Sequence, residues 1–376
     1  MKLKLGMVGG GQGAFIGAVH RIASRIDDRW ELVAGAFSSD ADRARASAAE
    51  LGVAPDRAYG SFEEMAQAEA AREDGIDAVA IVTPNHMHAA PAVAFLRAGI
   101  HVICDKPLAA TRDQAEEIAA AVRETGKRFV LTHNYTGYPL MRQARQMVAE
   151  GHLGDLRVVQ AEYPQDWLAE PVDNKQAAWR TDPERSGAGG CVGDIGTHAY
   201  NLACFVTGLR AESVAADLDT FVEGRLLDDN VHVMLRFGSG VKGMIWSSQV
   251  AVGNENALRL RVYGTKGGLE WAQENPNQMT FTPFGAPKQI LTRGGAGTTE
   301  AGARVARIPP GHPEGYLEGF ATIYSEAADL IAAAKNGTPA PADAHAPDIE
   351  DGLDGMRFIA ACIASSRDNS AWTPLT

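Results

Sequence analysis

Lys106 stands at a position in the sequence where a charged side chain can take part in catalysis. It follows the strand-like run Ile100–Ile103 closely and precedes Pro107. Ligands bind beyond the carboxyl ends of strands in parallel sheets. An ammonium group there can hydrogen-bond a substrate hydroxyl and stabilise its oxygen as the proton leaves. By position alone, a lysine in a surface loop explains the pattern as well. The Lys106–Pro107 bond is also a candidate for the cis form.

Asp194 and His198 form a second pair of residues with chemical potential. They follow a glycine-rich stretch at 186–193, and their spacing puts both on one face if the segment is helical. A histidine exchanges a proton near neutral pH, and a carboxylate one turn away can orient it or bind a second hydroxyl. An N-cap aspartate beside a packed histidine is the structural alternative. We predict no metal, because a third ligand with suitable spacing is lacking.

The elements that must position these residues begin with a glycine-rich turn. A short apolar strand at 3–8 precedes it, and a helix is predicted at 15–26. Within the turn, Gly9-x-Gly11-x-x-Ala14 matches the dinucleotide fingerprint, which lets backbone approach a pyrophosphate and directs a helix N-terminus at that anion. The predicted cofactor contacts are Gly9, Gly11, Gln12, Gly13, Ala14, Phe15 and Ile16.

The end of the second strand, predicted at 31–37, bears on the choice of cofactor. Asp40 stands about where an acid binds the ribose 2′-hydroxyl of NAD, whereas Ser38 with Arg43 would suit the 2′-phosphate of NADP. We favour NAD, with NADP as the alternative. A helix N-cap is the structural alternative for Asp40.

Polar residues also follow later strands of this half. A polar turn that caps the next helix explains the residues after the strand at 77–82 equally well. The functional interpretation places these residues in the cofactor crevice. These candidates are Thr83, Asn85, His88 and Asn134.

The length of 376 residues predicts two domains. Strands alternate with helices over residues 1–135, which is typical of a Rossmann-type doubly wound parallel sheet. Residues 136–376 predict an α+β domain for substrate binding and oligomerisation, with a large open, mostly antiparallel sheet. Residues 273–310 are rich in Gly, Pro and Thr and are expected to be irregular, and two helices, 314–335 and 348–366, complete the chain.

Composition excludes several classes of partner. The 35 basic and 47 acidic residues give a net charge of -12, which argues against nucleic acid and against an anionic membrane surface. The four cysteines are scattered, and the N-terminus lacks the apolar run of a signal peptide. We therefore expect reduced thiols and a cytoplasmic location.

Four motifs occur in the order Gly9-x-Gly11-x-x-Ala14, Thr83-Pro84-Asn85, Asp105-Lys106-Pro107 and Gly193-Asp194-Ile195-Gly196-Thr197-His198. Together they resemble the Gfo/Idh/MocA oxidoreductase family over nearly the whole chain. The resemblance implies an NAD-dependent enzyme and a homotetramer. Lys106 would polarise the hydroxyl, His198 would be the general acid/base, and Asp194 would bind a substrate hydroxyl or orient the histidine. The family commonly has glutamate where this chain has Asp105, which leaves the role of that residue open.

The long segment 164–193 provides the indications of substrate. Tryptophan rings stack on the apolar faces of sugars, and charged groups bind hydroxyls; core tryptophans are the structural alternative. Predicted substrate contacts are Lys106, Tyr135, Trp167, Arg180, Asp194, His198 and His312. Additional cofactor contacts are predicted for Asp105, Lys106, Trp179 and Arg180.

The resemblance is closest to the branch that acts on inositols and pyranoses, such as scyllo-inositol, L-glucose and levoglucosan dehydrogenases. A neutral polyol suits a site without clustered lysines and arginines. We predict oxidation of a secondary hydroxyl to the ketone or lactone. The alternatives are an NAD-dependent glycosidase, which would release no net NADH, another sugar dehydrogenase or reductase of the family, and a non-catalytic nucleotide sensor.

Overall fold

The computed structural model describes residues 2–376, except for the side chain of Lys175. The chain forms two compact units. The first contains the residues up to Asn134 together with Leu317–Leu353, and the second contains Tyr135–Tyr316 and Asp354–Thr376.

The first unit is built on a five-stranded parallel sheet with the order β2-β1-β3-β4-β5. Every residue of β3 is buried, as expected for a parallel strand covered on both faces. Ser61 and Thr111 are the N-caps of the helices that follow them, because each accepts the backbone N–H three residues later. The elements are β1 (Leu3–Gly9), α1 (Phe15–Ile26), β2 (Trp30–Ala36), α2 (Ala41–Glu50), α3 (Phe62–Ala71), β3 (Ala78–Val82), α4 (Ala89–Arg97), β4 (His101–Cys104), α5 (Arg112–Thr125) and β5 (Phe129–Leu131).

The second unit is built on a nine-stranded sheet, in which β6 and β9 pair in parallel and the other neighbours pair antiparallel. Along β8, buried Val231, Val233 and Leu235 alternate with exposed residues, so one face of the strand is packed. The elements before the carboxyl-terminal helices are α6 (Pro139–Ala149), β6 (Leu156–Pro164), α7 (Lys175–Arg180), α8 (Pro183–Ser186), α9 (Thr197–Thr207), β7 (Ala211–Asp219), β8 (Asn230–Phe237), β9 (Lys242–Ser248), β10 (Arg259–Gly264) and β11 (Gly267–Ala272).

The expectation that residues 273–310 are irregular is wrong. This stretch contains β12 (Gln278–Pro283), β13 (Gln289–Thr292) and α10 (Glu300–Arg304). Met279 and Phe281 alternate with threonines, and β12 pairs with β11 along its length. The Gly and Pro residues lie mainly in the turns between these short edge elements, and their composition masked the strands.

The chain ends with α11 (Tyr316–Asn336), α12 (Ile349–Arg367) and the short β14 (Thr373–Pro374). The sequence assigned all of 136–376 to the second domain, but 317–353 pack with the first unit. Tyr324 on α11 bonds His20, and the Leu131 N–H donates to the Pro347 carbonyl at 2.8 Å. Within residues 2–376, no helix combines the length and apolarity needed to cross a membrane. The four cysteines are buried and not disulfide-bonded.

Candidate active site

The glycine-rich turn between β1 and α1 has the geometry of a phosphate-binding loop. Gly9, Gly10 and Gly13 have positive φ values of 78°, 70° and 75°. A Cβ added to Gly17 would lie 2.4 Å from the Gly10 Cα, so α1 packs directly on the turn. A Cβ on Gly13 would meet nothing within 4 Å, which leaves that side of the turn open to a ligand.

An open cleft of about 370 Å³ adjoins this turn. Its lining includes Gln12, Ala14 and Phe15, whose ring is 63% exposed. Arg21 of α1 also lines the cleft and donates to the Gly10 carbonyl. The predicted contacts from Gly11 to Phe15 therefore line open space at the amino end of α1, where an anion is favoured, whereas Gly9 and Ile16 do not line this cleft.

Asp40 is the N-cap of α2, as the structural alternative predicted. Its Oδ1 accepts the Arg43 N–H at 2.8 Å, and Ser38 Oγ accepts the Asp40 N–H at 3.1 Å. The cap occupies one carboxylate oxygen. Contact of Asp40 with a ribose stays a prediction.

His88 lies in a structural position. Its ring is completely buried, with Nδ1 2.9 Å from the Pro107 carbonyl and Nε2 2.9 Å from the Thr83 carbonyl. Burial lowers the pKa of His88. Both ring nitrogens face backbone carbonyls, so the geometry does not support the predicted cofactor contact through this side chain. His88 instead ties the end of β3 to the turn after β4.

The other polar strand ends differ in what they offer a ligand. Thr83 Oγ1 donates to the Met87 carbonyl at 2.9 Å, and Asn85 is buried. Asn134 Nδ2, also buried, has no hydrogen-bond partner within residues 2–376. A buried amide donor without a partner is costly, and a bound ligand with an acceptor would satisfy it. Asn134 therefore fits a cofactor site.

Lys106 lies at the end of β4, where the sequence predicts it, and its bond to Pro107 is cis. Asp105 Oδ1 accepts the Thr132 hydroxyl at 2.8 Å and lies 3.7 Å from His20 Nε2. Burial by itself would raise the pKa of Asp105, but the nearby His20 ring and the charge of Lys106 outweigh it and lower that pKa well below its usual range. Asp105 is thus an anchored carboxylate beside Lys106.

In the second unit, the segment with Asp194 and His198 is not a regular α-helix. Residues Val192–Gly196 form a π-helical turn that runs into α9. Asp194 Oδ2 accepts from Arg180 Nε at 3.2 Å and from Gln249 Nε2 at 2.9 Å. Asp194 therefore serves as an acceptor for side chains and not as the N-cap of the structural alternative. π-Helical turns inside helices are frequent at functional sites.

Asp228 fixes the start of this helical segment. Its carboxylate accepts the backbone N–H groups of Gly190 and Val192 at 2.6 Å and 2.8 Å. Burial raises the pKa of Asp228 to about 6. A buried carboxylate thus holds the glycine-rich approach to Asp194, which sequence reasoning missed.

His198 packs in an aromatic and polar cluster. The Tyr135 ring meets the His198 ring edge-on, with centroids 4.9 Å apart, and Tyr163 lies 6.2 Å from the same ring. The hydroxyls of Tyr135 and Tyr163 share a hydrogen bond, and Tyr163 donates to Asn256 Oδ1 at 2.8 Å.

This cluster continues to the predicted tryptophans. Gln165 Nε2 donates to Asn256 Oδ1 at 2.6 Å and its Oε1 accepts from Trp167 Nε1 at 3.0 Å. Arg180 stacks on Trp179 at 4.3 Å and lies 6.0 Å from the centroid of Trp167. Both tryptophans are only partly buried, so they are not core residues.

The sequence interpretation did not include Tyr163, Gln165, Gln249 or Asn256. Tyr163 lies near the end of β6, Gln165 follows it, and Gln249 follows β9. These two strands are the parallel pair of the sheet, so their carboxyl ends lie at one edge. Polar residues after both strands were the available signal, but the parallel pairing was not predicted.

His312 does not join this cluster by its observed contacts. Its side chain is exposed, and its carbonyl accepts from Arg293, which also pairs with buried Glu314. Gly311 has a φ of 88°, which turns the segment at the surface. The prediction that His312 reaches the pocket lacks support in this geometry.

Comparison with known proteins identifies the family. Residues 3–133 match the model for an oxidoreductase family with an NAD-binding Rossmann fold, and residues 141–270 match the GFO/IDH/MocA C-terminal domain. The chain belongs to the Gfo/Idh/MocA oxidoreductase family. The predicted fold class and the NAD-binding first half are thereby confirmed.

Individual relatives of this family cover almost the whole chain. An oxidoreductase structure from Sinorhizobium meliloti is 57% identical, with a TM-score of 0.91 and 99% coverage of both chains. An inositol dehydrogenase homologue from Azotobacter vinelandii, solved with NADH and myo-inositol, is 34% identical, with a TM-score of 0.94 and coverage of 100% and 98%. Levoglucosan dehydrogenase of Pseudarthrobacter phenanthrenivorans is 28% identical over 83% of this chain and 82% of its own. The motifs predicted similarity to inositol and levoglucosan dehydrogenases, and these relatives confirm it.

Proposed function

We propose that this protein oxidises a secondary hydroxyl of a neutral cyclic polyol or pyranose, with NAD as the acceptor. The observation that carries the proposal is the polar and aromatic cluster around Asp194 in the second unit. It combines one carboxylate, the amides of Gln249 and Gln165, and the partly buried rings of Trp167 and Trp179. Amides and carboxylates bind sugar hydroxyls, and indole rings cover apolar sugar faces.

The charge of this cluster favours a neutral substrate. Arg180 is the cation that lies against Asp194, and their opposite charges offset one another. Its guanidinium also stacks on Trp179, which keeps it directed at the carboxylate. A phosphorylated or carboxylated sugar would compete with Asp194 for that arginine. The similarity to proteins described as acting on inositol and levoglucosan supports the same class.

Lys106 and His198 are the proposed catalytic residues. Lys106 donates to the reacting hydroxyl and stabilises its oxygen as negative charge develops. His198 takes the hydroxyl proton as general base, a role that an imidazole nitrogen can fill. Asp194 binds a neighbouring hydroxyl and thereby orients the ring. When bound, NAD supplies the nicotinamide that accepts the hydrogen of the carbinol carbon.

The cofactor would be held by chain segments already described. The open side of the Gly9–Gly13 turn and the amino end of α1 suit a pyrophosphate. Asp40 would contact the ribose, and Asn134 has a buried donor to offer. These assignments rest on the geometry of the first unit and are proposals for this chain.

A panel of inositols and aldohexoses, each with NAD and with NADP, tests the proposal by absorbance of the reduced cofactor. We expect net NADH and a keto product with at least one neutral polyol. Cleavage of a glycoside without net NADH would assign the protein to the glycosidase alternative. If the protein oxidises no member of the panel, the proposal is wrong.

Assembly as a homotetramer stays a prediction. Met234 and Met244 are 55% and 45% exposed on neighbouring strands of the nine-stranded sheet, so an apolar face is available to a second copy. Light scattering of the purified protein measures its oligomeric state. The cytoplasmic location is likewise a prediction.

A further inference from the structure

His20 of α1 occupies a buried position that the glycine-rich turn does not explain. Its side chain is completely buried, with Nδ1 2.8 Å from the Tyr324 hydroxyl and Nε2 3.7 Å from Asp105 Oδ1. The Phe320 ring packs against it with a centroid separation of 5.1 Å. The ring is therefore held between α11 and the turn that contains Lys106.

The two neighbours of the ring determine which nitrogen has the proton. Burial raises the pKa of Tyr324, so its phenol remains protonated and can donate. A lone pair on Nε2 would face the Asp105 carboxylate and be repelled by it. The favoured arrangement has the Tyr324 hydroxyl donating to Nδ1 and the Nε2–H directed at Asp105.

We propose that His20 is a positioning residue: its buried Nε2–H, which has no hydrogen-bond partner within residues 2–376, faces Asp105 Oδ1 across 3.7 Å and keeps this carboxylate in place next to Lys106. The inference rests on the proposed function, in which Lys106 meets the substrate hydroxyl. Thr132, which follows β5, donates to the same Asp105 oxygen at 2.8 Å, so a hydrogen bond and the His20 ring act on one carboxylate. Residues of α1 and α11 together with Thr132 thereby determine where the Asp105-Lys106 turn lies.

The charged surroundings of Asp105 point to Lys106 as its counter-ion. The titratable groups that act on Asp105 or that it acts on are His20, His88, Lys106, Cys104 and Tyr324. Burial lowers the pKa of His88 and raises that of the Cys104 thiol and the Tyr324 phenol, which keeps these three neutral. The ammonium of Lys106, whose charge the reaction needs, is the sequence neighbour of Asp105 and, after the His20 ring, one of the charges that lower its pKa.

Two conservative substitutions separate the contacts of His20. The amide nitrogen of a glutamine can replace Nε2, so His20→Gln keeps the donor to Asp105. The shorter His20→Asn offers its amide near the Nδ1 position, so it keeps the contact to Tyr324 and loses the one to Asp105. Both variants are compared with wild type by kcat, KM, NAD affinity from intrinsic fluorescence and melting temperature, using the best polyol of the panel.

We expect His20→Asn to lower kcat about tenfold and to leave NAD affinity within about threefold, whereas His20→Gln stays within about threefold in both. A purely structural histidine would lower the melting temperature of both variants equally and leave their kcat values alike. That result would overturn the inference.

Nitrogen-15 spectra of the His20 ring test the inference without turnover. Wild type should show the Nε2–H tautomer, and Tyr324→Phe, which removes the donor to Nδ1, should lose this preference. An Nδ1–H tautomer in wild type overturns the inference whatever the activity. If no polyol is oxidised but the Nε2–H tautomer and its loss in Tyr324→Phe are seen, the proposed function fails while the His20–Asp105 contact stands.

Discussion

Arg180 donates from Nε to Asp194 Oδ2 over 3.2 Å, and both side chains are mostly shielded from solvent. Arg180 comes from α7, whereas Asp194 lies in the π-helical turn before α9. The contact joins the long loop of the second unit to the segment with the proposed general base. It makes Asp194 a residue whose orientation depends on a side chain fourteen positions earlier.

Arg180→Gln should raise KM for the polyol about tenfold with a smaller change in kcat, because a charge-assisted hydrogen bond is worth about 1.5–3 kcal/mol and part of it is screened here. Steady-state kinetics measure the effect. Arg185→Gln is the matched control, since Arg185 is an exposed arginine of the adjacent α8. Equal KM values for both variants would show that the Arg180–Asp194 contact does not shape the substrate site.

Tyr163→Phe should lower the free energy of unfolding by about 1–2 kcal/mol and also reduce turnover, because Tyr135 and Asn256 both lose a partner beside His198. Urea unfolding and kcat are measured together. Tyr200→Phe is the control: its buried hydroxyl accepts the Ala211 N–H at 3.4 Å, so the variant should lose stability and keep kcat. Parallel losses of kcat in both variants would contradict a specific role for Tyr163.

Asp228 gives a prediction about pH. Burial raises its pKa from 3.8 to about 6 in the folded protein. A folded pKa above the unfolded value means that the contribution to stability is complete below about pH 4 and is lost as pH rises through about 6. For this group the loss corresponds to about 3 kcal/mol.

Asp228→Asn should remove that part of the pH dependence, so its unfolding free energy falls less between pH 4 and pH 7 than that of wild type. Urea unfolding at several pH values measures the slope. The exposed Asp217→Asn on β7 should keep the wild-type slope. A variant slope that matches wild type would mean that Asp228 titrates normally.

Asp40→Ser separates helix capping from ribose recognition. Serine caps helices about as well as aspartate, so the stability of α2 should change little. Loss of the carboxylate should reduce the preference for NAD over NADP about tenfold, since one charged hydrogen bond to the ribose is removed. Cofactor titrations of Asp40→Ser and of the neighbouring Asp42→Ser give the comparison, and an unchanged preference in both would leave Asp40 as a cap alone.

Local signals predicted much of the first unit. The fingerprint turn and α1 each depend on residues a few positions apart. Contacts between distant residues left no such signal. His20 and Tyr324 are 304 residues apart in sequence, and this pairing brings α11 back to the first unit.

The second unit shows the same limit. Asp194 and His198 were found from their types and spacing, but Gln249 and Asn256 reach the cluster through strand pairing. Because β6 and β9 run parallel within a mostly antiparallel sheet, hairpin signals alone predict the wrong edge for Gln249. The prediction for His312 lacks support for a related reason: Arg293 bonds its carbonyl at the surface, a contact that no local pattern indicates.

The transfer of deuterium from a carbon-deuterated polyol to NAD, followed by mass spectrometry of the cofactor, tests the central claim most directly. Wild type and the exposed control Lys288→Met should yield one labelled cofactor for each ketone formed. Lys106→Met should label it at least about a hundredfold more slowly while binding NAD normally, because the developing oxygen charge loses its donor. An unlabelled cofactor with every polyol of the panel, or equal rates in Lys106→Met and wild type, would contradict the account.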